Sequence, residues 1–366
     1  MIHRYPRVLG QKKVDLNKVH HAFLLLLSVV AGALLIFFSS AEVIGNSSQD
    51  GANQTGKTKT GKVGAPLPER AARLSPEKRS EALYVSGAVS GDRVLLVGER
   101  GLILLSKDGG DRYAQIDAPT RRLLSDVILR EDGVAIAVGH ESTVLRSSDF
   151  GESWQVVHHD PDQDLALFSV IDSGAGKIVA VGAFGLVLTS SDDGMTWEQG
   201  LISEDGPHLY SVKKTDDALV TVGEFGSLYK SQDDGKSWTL LPTPYEGTLF
   251  DILVKGDQWI LMGLRGNLWQ GSEANWQKIS HGSEATLFGG AHLSDGTIVI
   301  VGAEGVTLLR SPENEEWRSL KVSEGDRRLL SLPLRLKDDS VLALGEKGYR
   351  PILGAGGKPL AGGDSQ

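Results

Sequence analysis

The run GAFGLVLTSSDDGMTW, Gly182 to Trp197, decides the fold because the chain repeats it. GEFGSLYKSQDDGKSW, Gly223 to Trp238, keeps the same Gly-x-x-Gly-x-x-x-x-Ser-x-Asp-x-Gly-x-x-Trp spacing. Gly139 to Trp154 is a third copy, and Gly98 to Tyr113 a fourth with Tyr in the last place. Weaker copies begin at Gly263, Gly302 and Gly345. The seven leading glycines are separated by 41, 43, 41, 40, 39 and 43 residues. A period in that range, with several short strands per unit, is the signature of a propeller or solenoid.

One unit shows how many strands it holds. Leu209-Tyr210-Ser211-Val212 alternates as a strand does, and Ala218 to Val222 is a nearly continuous apolar run, as in a strand buried on both faces. Glu224-Phe225, between Gly223 and Gly226, reads as a tight hairpin in which glycine supplies positive φ. Ser227 to Lys230 and Trp238 to Leu241 are the third and fourth strands. Four antiparallel strands per unit make a propeller blade, so the expected fold is an all-β, seven-bladed β-propeller.

Between strands three and four lies Ser231-Gln232-Asp233-Asp234-Gly235-Lys236-Ser237-Trp238. It resembles the Asp-box of sialidases and other BNR-repeat propellers. Short Ser and Asp side chains bond nearby amides, glycine takes a left-handed position and Trp covers the hairpin. The same roles fall on Ser106, Asp108 and Gly110; on Ser147, Asp149, Gly151 and Trp154; on Ser190, Asp192, Gly194 and Trp197; and on Ser231, Asp233, Gly235 and Trp238. Turn chemistry accounts for each of them, so they are expected to be structural and not catalytic. The Gly263 unit lacks the Asp, the Gly302 unit has Arg310 and Pro312 in place of Ser and Asp, and the Gly345 unit ends without an evident fourth strand. An N-terminal strand from residues 63–75 is the expected closure of that last blade.

The 366 residues carry a net charge of -9 and no cysteine, which leaves no disulfide framework or thiolate metal site. Residues 1–21 are a basic lead with Arg4, Arg7, Lys12, Lys13 and Lys18 against Asp15, so the rest of the chain is more acidic still. Such a body does not suit nonspecific nucleic-acid binding, which needs cations to displace counterions. Ala22 to Ala41 is an uncharged apolar span of bilayer length. Its basic N-terminal flank puts the lead in the cytoplasm and the remainder outside the inner membrane, in the periplasm. The long lead favours a membrane anchor over a cleavable signal peptide ending at Ser39-Ser40-Ala41, after which the protein would be freely periplasmic. Residues 42–79 have the composition of a flexible linker, residues 80–353 hold the repeats, and residues 354–366 are a Gly-rich tail.

Catalytic patterns are sparse. Sialidase chemistry requires an arginine triad, a Tyr nucleophile with its Glu and an Arg-Ile-Pro-type motif; Leu332-Pro333-Leu334 is the nearest tripeptide and lacks the Arg. Carboxylates from distant blades could still converge for glycoside hydrolysis. Asp160-Pro161-Asp162-Gln163-Asp164 opens like a calcium loop, but Leu165 and Ile171 stand where Gly and Glu belong. The histidines have no metal-ligand spacing. The expectation is a binding propeller with no cofactor, no metal and no enzymatic activity.

Recognition on propellers falls to loops that a rigid scaffold positions. The strand two–three tips here are Glu99-Arg100, His140-Glu141, Ala183-Phe184, Glu224-Phe225, Leu264-Arg265, Ala303-Glu304 and Glu346-Lys347. Arg121-Arg122 and Arg327-Arg328 lie in the loops leading into blades 2 and 7, counting blades from the Gly98 unit. Arg100, Arg121, Arg122, Arg327, Arg328 and Lys347 are therefore expected on one face, around blades 7, 1 and 2. Asp160, Asp162, Asp164, Glu204 and Asp205 lie opposite, and Phe184 and Phe225 are candidate partner contacts.

The Val-Gly-x-x-Gly tips (Val97 to Gly101, Val222 to Gly226) followed by Ser-x-Asp-x-Gly-x-x-Trp make roughly residues 80–353 resemble the photosystem II stability/assembly factor family of seven-bladed propellers. The resemblance implies an exported, non-enzymatic assembly factor whose arginine-bearing face holds a membrane-protein subunit during biogenesis of a complex. Cyanobacterial members commonly begin with a lipoprotein signal, whereas this chain has no Cys and an apolar span instead. The alternative class is a carbohydrate-binding or glycan-hydrolysing propeller, for which Phe184, Phe225 and Tyr245 are the aromatic candidates.

Overall fold

The computed structural model describes residues 70–360 apart from 204, 205, 274 and 321–324. The basic lead, the Ala22–Ala41 span and most of the linker lie outside the described residues; among those described, no helix is long and apolar enough to cross a membrane. The described strands form seven four-stranded antiparallel sheets, each with its strands in chain order. The fourth of these blades consists of Leu209–Lys214, Leu219–Gly223, Leu228–Ser231 and Thr239–Leu240. First strands of neighbouring blades pack on one another around a central channel, and that of blade 1 (Tyr84–Ser90) meets that of blade 7 (Leu330–Arg335).

The continuous apolar run of each second strand has a direct cause. In Arg93–Gly98, Leu95 and Val97 join a cluster with Leu124, Ala135 and Leu145 of blade 2, while Val94 and Leu96 join one with Leu334, Leu342 and Leu344 of blade 7. Every second strand is thus covered on both faces, the condition under which strands lose their polar alternation. The seven clusters of this kind each sit between two adjacent blades. Full burial of a Val, Leu or Ile contributes ~1.5–3 kcal/mol, so the blade interfaces are the main store of stability.

Inside the ring, the first strands turn an open edge towards the channel, and side chains satisfy several of its groups. Asp126 accepts from the Ser86 hydroxyl at 2.6 Å, the Ser169 hydroxyl at 3.0 Å and the Val170 amide at 2.9 Å, which ties blades 1, 2 and 3 together. Asp251, buried in blade 5, accepts from Ser211 of blade 4 at 2.6 Å and from the Gly290 amide of blade 6 at 3.2 Å. Lys213 also reaches Asp251 at 3.2 Å. Burial opposes the lysine charge, but Asp251 and Asp126 outweigh it and raise the Lys213 pKa.

Closure departs from the sequence expectation. The fourth strand of blade 7 is Lys358–Pro359, paired with Leu353 and Gly354, so the Gly-rich tail supplies it; of the expected N-terminal segment, residues 63–69 lie outside the described residues and 70–75 form no strand there. Residues 70–74 instead lie along the outer edge of blade 1, where the Ala71 amide bonds Ala118 O at 3.1 Å and the Leu74 amide bonds Gln115 Oε1 at 2.9 Å. A single-turn helix, α1 (Pro76–Ser80), follows, capped by Ser75. Composition alone reads residues 42–79 as linker, but 70–79 are held here by these bonds and this helix. Blades 7 and 1 are joined by packing, by Ser331 Oγ donating to Tyr84 O at 3.0 Å, and by the Gly348 amide bonding Ala82 O at 2.8 Å.

Candidate partner-binding face

The strand two–three tips form one end of the propeller, and their geometry revises the reading of the glycines. At blade 4 the turn is closed by the Ser227 amide on Glu224 O at 3.0 Å, with Phe225 (φ 56°) and Gly226 (φ 66°) as its central residues. The positive φ therefore falls on Phe225 and the second glycine. The leading Gly223 is extended (φ -165°), and it is glycine for another reason: a Cβ there would lie 2.1 Å from His208 O. That carbonyl, just before the first strand, accepts the Glu224 amide at 3.1 Å. At all seven leading glycines a Cβ would lie 2.0–2.2 Å from the equivalent carbonyl, and the next amide bonds that carbonyl in each blade. Each tip is thereby clamped to the loop leading into its own blade. The Glu at the first tip position completes the clamp: Glu99, Glu224 and Glu346 side chains accept the amides of Leu83, His208 and Leu329 at 3.0–3.1 Å.

This clamp puts the tips and the lead-in loops at the same end. Arg100 occupies the left-handed position of the blade 1 tip and is 72% exposed in its side chain, with Glu99 at 3.8 Å. Arg121 and Arg122 are exposed in the loop beside Gly101, and Arg122 pairs with Glu141 at 2.8 Å. Arg327 pairs with Glu304, while Arg328 bonds Asp326 at 2.9 Å and donates to Lys347 O at 3.1 Å. Lys347 is exposed at the blade 7 tip with φ 55°. The cations of blades 7, 1 and 2 thus come to one end, but several are paired to local carboxylates, which lowers their net field.

Sequence reasoning missed three parts of this end. The helix α1 brings Lys78 and Arg79 to the blade 7–blade 1 junction, where Gly348 lies against Ser80. Arg350, half-buried, pairs with Asp326, and burial pulls its pKa down despite that partner. An aromatic row also crosses blades 3 to 6: Phe168–Tyr210, Tyr210–Phe250 and Phe250–Phe288 have ring centroids 5.3, 5.1 and 5.1 Å apart. Burial, with Glu224 nearby, raises the Tyr210 pKa well above the usual phenol range. The large aromatics two residues after the lead-in carbonyls of blades 3 to 6 were the available signal.

Phe184 is 44% and Phe225 77% exposed, both at left-handed tip positions. The Phe184 amide donates to His208 Nδ1 at 3.0 Å and its ring stands edge-on to the same imidazole at 4.5 Å. That bond requires Nδ1 to be unprotonated, in keeping with burial lowering the His208 pKa against Glu224. Tyr245 is tied down by its hydroxyl donating to Leu264 O at 3.2 Å. In the Asp160–Asp164 turn the Asp160 amide bonds Glu141 O at 3.0 Å, while Glu204 and Asp205 lie outside the described residues.

The Asp-boxes sit at the opposite end, between strands three and four. Ser190 Oγ accepts the Gly194 amide at 3.0 Å and donates to Asp192 at 2.9 Å; Asp192 in turn accepts the Thr196 amide at 2.9 Å and hydroxyl at 2.6 Å. The boxes at Ser106, Ser147 and Ser231 repeat this pattern. Trp154, Trp197 and Trp238 each donate Nε1–H to the box glycine carbonyl at 3.0–3.1 Å. The hydroxyl and amide of Thr196 hold Asp192 at a pKa of about 2, and the amide and guanidinium of Arg112 do the same for Asp108.

These features define a single-ring Asp-box β-propeller whose tip end joins clustered cations to a row of aromatics. The chain belongs to the family described as photosynthesis system II assembly factor YCF48, whose model matches residues 111–348. No curated protein sequence matches the chain. Among solved structures it is similar to "YCF48 bound to D1 peptide", with TM-score 0.63 and 17% identity over 77% of this chain and 97% of the other. YCF48 from Cyanidioschyzon merolae is similar at TM-score 0.62 and 16% identity over the same shares. The WD40 β-propeller domain of Doa1 gives 0.59 and 12%, over 77% and 94%. At these identities the structural likeness is one of fold.

Proposed function

We propose that this protein is a non-enzymatic scaffold that holds a segment of a photosystem-type membrane-protein subunit against the tip end of its propeller during assembly. The observation that carries the reading is the gathering of Arg100, Arg121, Arg122, Arg327, Arg328 and Lys347 at one end of a propeller of this family. Arginine suits the role because its planar fork pairs with carboxylates and stacks on rings. The YCF48 structure with a D1 peptide supports a peptide-holding use of the fold. The uncharged Ala22–Ala41 span supports a tether in the inner membrane with the propeller in the periplasm.

Arg328 is partly buried against Asp326, so Arg100 and Arg122 are the better positions to test. Arg100→Gln with Arg122→Gln should change stability by no more than about 0.5 kcal/mol per site, as for exposed positions in general. Recovery of a membrane complex by pull-down from detergent-solubilised membranes should fall sharply, and raised salt should weaken capture by the unmodified protein. Undiminished capture by the double variant would refute the arginine role. Exposed Phe184 and Phe225 support a second reading, glycan binding, and retention on a glycan array would favour it over the first.

A further inference from the structure

We infer that the tip end carries an apolar subsite beside the cationic one, and that it takes the large apolar side chains of an extended acidic peptide. The inference rests on the scaffold reading above and specifies its ligand. In each blade the pairing of strands one and two slips by a residue next to the leading glycine, leaving one unpaired bulge residue. A bulge re-aims a side chain, and here it does so at the tip end of the innermost strand, on the channel rim. The residues concerned are Phe168, Tyr210, Phe250 and Phe288 in blades 3 to 6, but Ser331, Val85 and Ser125 in blades 7, 1 and 2. The rim is therefore divided, with a half-buried aromatic row on one side and small residues below the arginines on the other.

Phe184 extends the row to the surface through His208, whose ring lies 4.5 Å from Phe184 and 6.0 Å from Phe168. The half-buried position of the row favours a side chain over a flat bilayer, which exposed tips alone would meet. Charge argues the same way. Glu224, which accepts the His208 amide, stands beside the aromatic half and repels an anionic lipid surface there, while the cations across the channel complement peptide carboxylates. An extended chain crossing the mouth would set its acidic residues on blades 7, 1 and 2 and its apolar residues on blades 3 to 6. Aromatic faces are favoured anchors in this kind of contact.

Peptide selection tests this. A random peptide library displayed on phage should be panned on the immobilised full-length protein, on Phe184→Ser, on Phe250→Ser and on Arg100→Gln/Arg122→Gln. The unmodified protein should enrich peptides that combine Asp or Glu with Phe, Leu, Ile or Trp. Synthetic copies of the enriched peptides should bind Phe184→Ser or Phe250→Ser at least about fivefold more weakly, the scale of one lost interface anchor. Phe184 is on the surface, so its substitution keeps the test valid if Phe250→Ser melts early. The double arginine variant should lose the acidic preference and keep the apolar one. Acidic peptides without apolar enrichment would overturn the subsite and leave the scaffold reading standing, whereas no enrichment at all would sink both. Sedimentation with phosphatidylcholine or phosphatidylglycerol vesicles that depends on Phe184 and Phe225 would replace the peptide with a membrane surface.

Discussion

Gly223 and Gly226 look interchangeable in the sequence, yet different physics selects them. Gly226 sits at φ 66°, which favours glycine, whereas Gly223 is extended and leaves no room between itself and His208 O. Gly223→Ala should therefore cost about 3 kcal/mol or more, because the atom in the way is backbone and the tip clamp has to break. A melting experiment showing a loss under about 1 kcal/mol would contradict that clamp. The Asp-box carboxylates make a second prediction at this scale. Thr196 lowers the Asp192 pKa to about 2, so its contribution is present above the unfolded value near 3.8 and is lost as pH falls through the folded value. Acid unfolding should set in between about pH 4 and 2, and Asp192→Asn should flatten that dependence. An unchanged pH profile in Asp192→Asn would count against the hydrogen bonds assigned to it.

Hairpins carry the packing between blades. The Gly194 of the blade 3 Asp-box lies against strand two of blade 2, where a Cβ would meet Ile136 Cδ1 at 2.5 Å, and Gly235 lies likewise against Val179 of blade 3. Trp197 packs on the cluster shared by blades 2 and 3, and Trp238 on that shared by blades 3 and 4. The Asp-box is thus a fastener between neighbours as well as a turn. Both indoles are only partly buried, so Trp197→Ala should cost about 2–3 kcal/mol, below the range for a fully enclosed ring. Chemical denaturation would measure it, and a value near zero would mean that the indole merely shields the turn.

Across the whole ring, stability depends on carboxylates that join three blades at a time. Asp251→Ala leaves the Ser211 hydroxyl, the Gly290 amide and Lys213 without this acceptor. The expected loss is about 2–4 kcal/mol, with Lys213 contributing less than a fully enclosed charge would because a third of its side chain stays exposed. Asp251→Asn should recover part of it, and a thermal melt of the two variants separates lost charge from lost hydrogen bonds. Among the described residues, blade 7 takes its fourth strand from Lys358–Pro359 and not from the other end of the chain. Its junction with blade 1 relies on side-chain packing and a few hydrogen bonds.

Blade number, strands per blade and Asp-box chemistry were legible in the sequence because each depends on residues a few positions apart. Ser231, Asp233, Gly235 and Trp238 satisfy one another within a single turn, and the period of about forty residues counts the turns. Antiparallel alternation also puts the tip and lead-in loops, with Arg100, Arg122 and Arg328 on them, at one end of the blades. Only the tertiary structure showed how far Glu141, Glu304 and Asp326 neutralise those arginines, because the partners come from neighbouring loops. It alone decided the closing strand, since Lys358–Pro359 is too short to carry a strand pattern. It alone assembled the row from Phe168 to Phe288, whose members lie about forty residues apart and meet because ring closure sets the first strands side by side. Local hydrogen bonds write themselves into spacing; contacts made by closing a ring do not.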